Sequence, residues 1–114
     1  MSLAQQSCVP CRGGAAPLNR EQAATFLKQT PQWSLDKGAT RITRTFKFKD
    51  FAQALDFVNG LGQIAEEQQH HPDITFGWGY VTVTLYTHKV KGLHENDFVL
   101  AAKADRLFDD APPE

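Results

Sequence analysis

The chain carries four histidines, His70, His71, His88 and His94, all between positions 70 and 94 and none in the first 69 residues. Imidazole exchanges a proton near neutral pH and also ligates metals. Two chemistries therefore suit the cluster: general acid–base catalysis, or metal binding. Carboxylates lie in the same stretch. Glu66 precedes His70 by four residues, which on a helix makes the two side chains neighbours. A carboxylate beside an imidazole fixes its tautomer and raises its basicity. Glu66, His70 and His88 also offer a two-histidine, one-carboxylate metal triad. Plainer roles compete with both. His70-His71-Pro72 suits a polar helix terminus, and Asp97 suits a cap on the first turn of the next helix. His94 stands where that helix would have its N-cap, and is expected at the surface.

Periodicity supplies the elements that must hold these groups. A first helix is expected from Asn19, a good N-cap, with Ala23, Phe26 and Leu27 as its apolar stripe and Pro31 as its stop. Gln32-Trp33-Ser34-Leu35 reads as a short strand. Residues 40–48 alternate: Ile42, Phe46 and Phe48 face one way with Arg44 between them, while Arg41, Thr43, Thr45 and Lys47 face the other. A second helix is expected from about Lys49 to His70, stopped by Pro72. Its Gly60 and Gly62 each cost about 1 kcal/mol relative to alanine, a cost that close approach by another backbone would offset. Ile74, Phe76 and Trp78, then Val81, Val83 and Leu85, alternate around Gly79 and predict a hairpin. A third helix is expected from about Glu95 to Phe108, with Asp97 on the inward side beside Leu100 and Ala104.

The predicted order is α-β-β-α-β-β-α. This is an α+β single domain, with a four-stranded antiparallel sheet and helices packed on one face. Residues 1–17 read as a flexible arm, 18–109 as the folded domain and 110–114 as a disordered tail. The 114 residues suffice for one core. A net charge of −1 argues against a strong electrostatic grip on nucleic acid, although Arg41, Arg44, Lys47 and Lys49 cluster. The sequence contains neither an apolar run of membrane-spanning length nor the pattern of a secretory signal, so a cytoplasmic location is expected. Cys8 and Cys11 form a CVPC unit without a second ligand pair, and its polar, glycine-rich flanks lack a strand and a helix. It reads as part of the arm.

The set Glu66-x3-His70-His71-Pro72, Trp78, Thr87-His88, Gly92-Leu93 and Asp97 closely resembles the signature of pterin-4a-carbinolamine dehydratases. The segment PDITFGWGYVTVTLYTH resembles the hairpin of that family, and the resemblance covers about residues 19–108. It implies dehydration of a 4a-hydroxytetrahydropterin to a quinonoid dihydropterin, in service of an aromatic amino-acid hydroxylase such as phenylalanine hydroxylase. It implies that His70, His71 and His88 are the site histidines, with Glu66 and Asp97 at motif positions. Trp33 in PQWSL resembles a tryptophan near the pterin pocket, and Pro72, Thr87 and the backbone of His88 are further candidates for holding the ring. No metal or other cofactor is implied. A homodimer or homotetramer is. Two alternatives remain open: a protein-binding role, as in animal members that act as dimerisation cofactors of a transcription factor, and a pterin-binding role in molybdenum-cofactor metabolism.

Overall fold

The computed structural model describes residues 2–9 and 16–110. Cys11 and residues 111–114 lie outside the described residues, and with them half of the CVPC unit and the expected tail.

Asn19 caps α1 (Arg20–Leu27) reciprocally. Its Oδ1 accepts from the Gln22 N–H at 2.8 Å, while Gln22 Oε1 accepts from the Asn19 N–H at 2.9 Å. Two short strand residues follow, β1 (Ser34–Leu35), then β2 (Ile42–Lys47). Asp50 caps α2 (Phe51–Gln68) by accepting from the Gln53 N–H at 2.9 Å. The hairpin is β3 (Asp73–Gly77) and β4 (Tyr80–Leu85), turned through Trp78 and Gly79, where Gly79 takes a φ of 82° that glycine tolerates best. The last element is α3 (Glu95–Asp109). The four strands form one antiparallel sheet, as expected, and their order is β1-β2-β4-β3.

Period-two alternation divides the sheet. Ile42, Phe46, Val81, Val83 and Leu85 are buried beneath the helices. The opposite face carries threonine pairs, Thr43 on Thr84 and Thr45 on Thr82. Phe46 sits at the centre of the core, with ring centroids 4.7 Å from Phe57 and 5.2 Å from Phe108. Burying one such ring contributes about 1.5–3 kcal/mol. Arg44 shares this inner face, and the structure shows why a cation is tolerated there. Its guanidinium lies over the Phe46 ring and its Nη1 is 2.6 Å from Asp105 Oδ1.

Three expectations need correction. Residues 2–9, expected within a flexible arm, lie against α3: Leu3 is buried, and Lys103 Nζ donates to the Ala4 carbonyl at 2.9 Å. Leu3 and Ala4 are separated from Cys8 and Val9 by a polar run, which gives no periodicity by which to foresee this. Helix α2 ends at Gln68 rather than His70. Gly60 faces the Leu107 side chain rather than a backbone, and a Cβ at Gly62 would meet nothing within 4 Å. Among the described residues, no helix is long and apolar enough to cross a membrane.

Candidate active site

The end of α2 decides where the histidines go. Gln69 adopts the left-handed conformation, with φ 56° and ψ 37°. The Gln69 N–H donates to the Glu66 carbonyl and the His70 N–H to the Ala65 carbonyl, the bonding of a Schellman terminus. The chain therefore leaves the helix axis before His70. Pro72 then disfavours a helical backbone at His71.

The two imidazoles part. His70 turns inward and its Nε2 lies 2.6 Å from Asp97 Oδ1; the side chains are 10% and 0% exposed. His71 turns outward and its Nε2 meets Glu66 Oε2, with both side chains largely exposed. The expected Glu66–His70 pair is thus replaced by Glu66–His71 and Asp97–His70. The i,i+4 argument fails because the helix has already ended.

Asp97 is a hub. Its Oδ2 accepts from the Thr87 hydroxyl at 2.8 Å and from the His94 N–H at 2.9 Å. It points inward, as predicted. It is fully buried and is not among the residues that line the candidate cleft, which it reaches through His70 and Thr87. His94 Nδ1 accepts from the Asn96 N–H at 3.0 Å, so the imidazole caps α3 in the position where serine or threonine would suit.

His88 lies beyond β4, at the start of a 3₁₀ turn His88–Val90. Thr87 and Gly92 exchange both backbone hydrogen bonds and pinch this loop at its base. The exposed His88 ring packs edge-on against Tyr86 at 4.5 Å, and the Arg41 guanidinium sits 4.6 Å from the centroid of the same Tyr86 ring.

Between the end of α2 and this loop runs an open cleft of about 660 Å³. His70, His71, Thr87 and His88 all line it, with Tyr86, Gln68, Asn96 and residues 7–9. A volume of this order suits a bicyclic heterocycle. The structure thus gathers five of the eight expected site residues, Glu66, His70, His71, Thr87 and His88, with Asp97 directly beneath. Trp33 is not among the residues that line the cleft. It is buried, and its Nε1 donates to Asp105 Oδ1 at 2.8 Å. Pro72 shapes the backbone of His71 but does not line the cleft either. The sequence gives no signal for Tyr86, Gln68, Asn96 or the strand of chain at 7–9. Among the described residues, no three His, Cys, Asp or Glu side chains could together hold a metal ion. Two members of the proposed metal triad, Glu66 and His70, are engaged with separate partners.

A family profile described as Pterin 4 alpha carbinolamine dehydratase matches residues 16–107. Proteins of Halorhodospira halophila and Cupriavidus pinatubonensis, each carrying the name "putative pterin-4-alpha-carbinolamine dehydratase", are both 56% identical to this chain; the first aligns over 94% of this chain and 98% of its own length, the second over 92% and 90%. The crystal structure of a transcriptional coactivator/pterin dehydratase from Brucella melitensis superposes with a TM-score of 0.77 at 34% identity, covering 81% of this chain and 98% of that one. A pterin dehydratase-like protein described as a RuBisCO assembly factor in the alpha-carboxysome gives 0.60 at 28% identity, over 70% and 93%. With its sequence matched over nearly the whole described fold, the chain belongs to the pterin-4-alpha-carbinolamine dehydratase family.

Proposed function

We propose that residues 18–109 form an enzyme that converts a 4a-hydroxytetrahydropterin to the quinonoid dihydropterin and water. The observation that carries this reading is the convergence of three imidazoles on one cleft, two of them paired with carboxylates. The reaction needs two proton transfers. An imidazolium protonates the C4a hydroxyl, the C4a–O bond breaks, and water leaves. A neutral imidazole takes the N5 proton, and the N5–H electron pair completes the N5–C4a double bond. One histidine loses a proton and one gains it, so the pair is reset by exchange with solvent. His71 and His88 are exposed to the cleft and carry these transfers in this reading. Glu66 orients His71. His70, fixed by Asp97, orients the substrate. The protein needs neither metal nor other cofactor for this chemistry.

The enzyme would act in the cytoplasm and regenerate the pterin of an aromatic amino-acid hydroxylase, because hydroxylation of this kind leaves the oxygen on C4a. Exposed Phe51, Leu55 and Trp78 support assembly into at least a homodimer. Light scattering at micromolar concentration tests the assembly. The activity is tested with freshly generated 4a-hydroxytetrahydropterin, after subtraction of the uncatalysed dehydration. A folded protein that adds nothing to that background would favour the second reading, a protein-binding role. That reading draws support from the likeness to a RuBisCO assembly factor.

A further inference from the structure

The described residues 2–9 are tied down at several points, although a polar terminal stretch with one large buried side chain has little reason to be ordered on its own. Leu3 inserts into the core and Lys103 holds the Ala4 carbonyl. Farther along, the Cys8 N–H donates to Gln68 Oε1 at 2.8 Å. Asn96 then grips Val9 from both sides: its Oδ1 accepts from the Val9 N–H at 2.9 Å, and its Nδ2 donates to the Val9 carbonyl at 2.6 Å. A buried side-chain amide thereby pairs with the backbone as a neighbouring strand would. Both anchors stand at the cleft: Gln68 closes α2 just before His70, and Asn96 adjoins Asp97 in α3. The result is that Ser7, Cys8 and Val9 line the same cleft as His70, His71 and His88.

We propose that Ser7–Val9 is a wall of the substrate site, and that Asn96 is the positioning residue that holds this wall against the histidines. The proposal rests on the dehydratase reading above. Its chemistry is complementary to that of the imidazoles. They face the reacting C4a and N5 atoms, whereas the exposed Ser7 hydroxyl, which can both donate and accept, suits the amide-like edge of a pterin ring, and the Val9 side chain offers an apolar surface beside it. Releasing the wall removes contacts made equally to substrate and transition state, so KM changes and kcat does not.

The test uses the full chain. Asn96→Ala is expected to raise KM for the 4a-hydroxytetrahydropterin about tenfold, the equivalent of one good polar contact, with kcat kept. Gln68→Ala, which removes the acceptor of the Cys8 N–H without emptying a buried site, should move KM in the same direction by a smaller factor. Amide exchange gives an independent readout: 7,8-dihydrobiopterin should slow exchange at Cys8 and Val9 in the wild type and not in Asn96→Ala. An unchanged KM in both variants, a fall in kcat at constant KM, or no pterin-dependent protection at Cys8 and Val9 would overturn the proposal. A wild-type protein that protects those amides with pterin but shows no rate above background would sink the dehydratase reading alone.

Discussion

His70 Nε2 lies 2.6 Å from Asp97 Oδ1, across 27 positions of sequence, and this bond joins the end of α2 to the first turn of α3. The other oxygen of Asp97 is already occupied by two donors, the Thr87 hydroxyl and the His94 N–H. An ionised Asp97 can only accept, so it takes the Nε2–H of His70, and a neutral His70 then keeps its lone pair on Nδ1. One buried carboxylate so orients an imidazole of the cleft, anchors the base of the His88 loop and caps the start of α3.

Asp97→Asn should separate these duties. The amide keeps the size of the side chain but cannot accept at both of its ends, so either His70 loses its partner or the Thr87 and His94 donors do. A lost partner leaves a buried polar group unsatisfied, at a cost of about 1–3 kcal/mol. The dehydration rate should fall about 10- to 100-fold, by analogy with the loss of a carboxylate behind a metal-bound histidine. A folded Asp97→Asn protein of wild-type rate would show that the orientation of His70 is irrelevant to the chemistry.

The two glycines of α2 should behave differently. A Cβ at Gly60 would lie 3.1 Å from Leu107 Cδ2, so an alanine there must push a packed side chain. A Cβ at Gly62 would meet nothing within 4 Å. Gly62→Ala should therefore stabilise the fold by about 1 kcal/mol, the difference in helix propensity, while Gly60→Ala gains less or nothing. Thermal denaturation of the two variants checks this. Destabilisation by Gly62→Ala would mean that a second copy packs tightly on that side of α2.

The sequence exposed the elements far better than the pairings between them. The alternation of Ile42 to Lys47 placed β2 and its buried face, and Asn19 marked the start of α1, because both signals are local. The inward direction of Asp97 followed from its helical phase with Leu100 and Ala104. The end of α2 did not follow. Its left-handed residue is Gln69 where glycine or asparagine would usually announce the turn, so periodicity extends the helix to His70 and pairs Glu66 with that imidazole, whereas Glu66 meets His71. Only the family likeness points to Trp33 as a pocket residue. Its indole N–H donates to Asp105, a partner 72 positions away that no local pattern could name.

Asp36 gives the fold a pH dependence that can be isolated. Slight burial raises its carboxyl pKa, but hydrogen bonds from the Thr40 hydroxyl and the Arg41 and Thr40 N–H groups, with the charge of Arg41, outweigh this and hold it below the usual value of 3.8. The folded state therefore favours the carboxylate. Its stabilisation is present above the unfolded value and is lost as pH falls through the folded one. Wild type should exceed Asp36→Asn in stability at pH 6, and the gap should close below about pH 4. Denaturant titrations at several pH values check it. A gap independent of pH would mean that the Asp36 turn is held by shape and not by charge.

The division of labour among the histidines is best tested at two positions only six residues apart. His88 is exposed in the cleft and held by the Tyr86 ring, whereas His94 spends its Nδ1 on the Asn96 N–H and caps α3. His88→Ala removes a proton carrier and should lower the catalysed rate by about 10²–10⁴-fold with little effect on stability. His71→Ala should fall in the same range. Glu66→Gln should cost less, because it weakens the orientation of His71 and leaves the imidazole in place. His94→Ala should do the reverse of His88→Ala. Loss of a cap costs about 1 kcal/mol of stability, while the backbone N–H that supports Asp97 remains, so the rate should stay near that of the wild type. Rates must be compared after subtracting the uncatalysed reaction, on variants whose circular dichroism matches the wild type. Equal rates in His88→Ala and His94→Ala would place the chemistry outside the cleft between the end of α2 and the His88 loop.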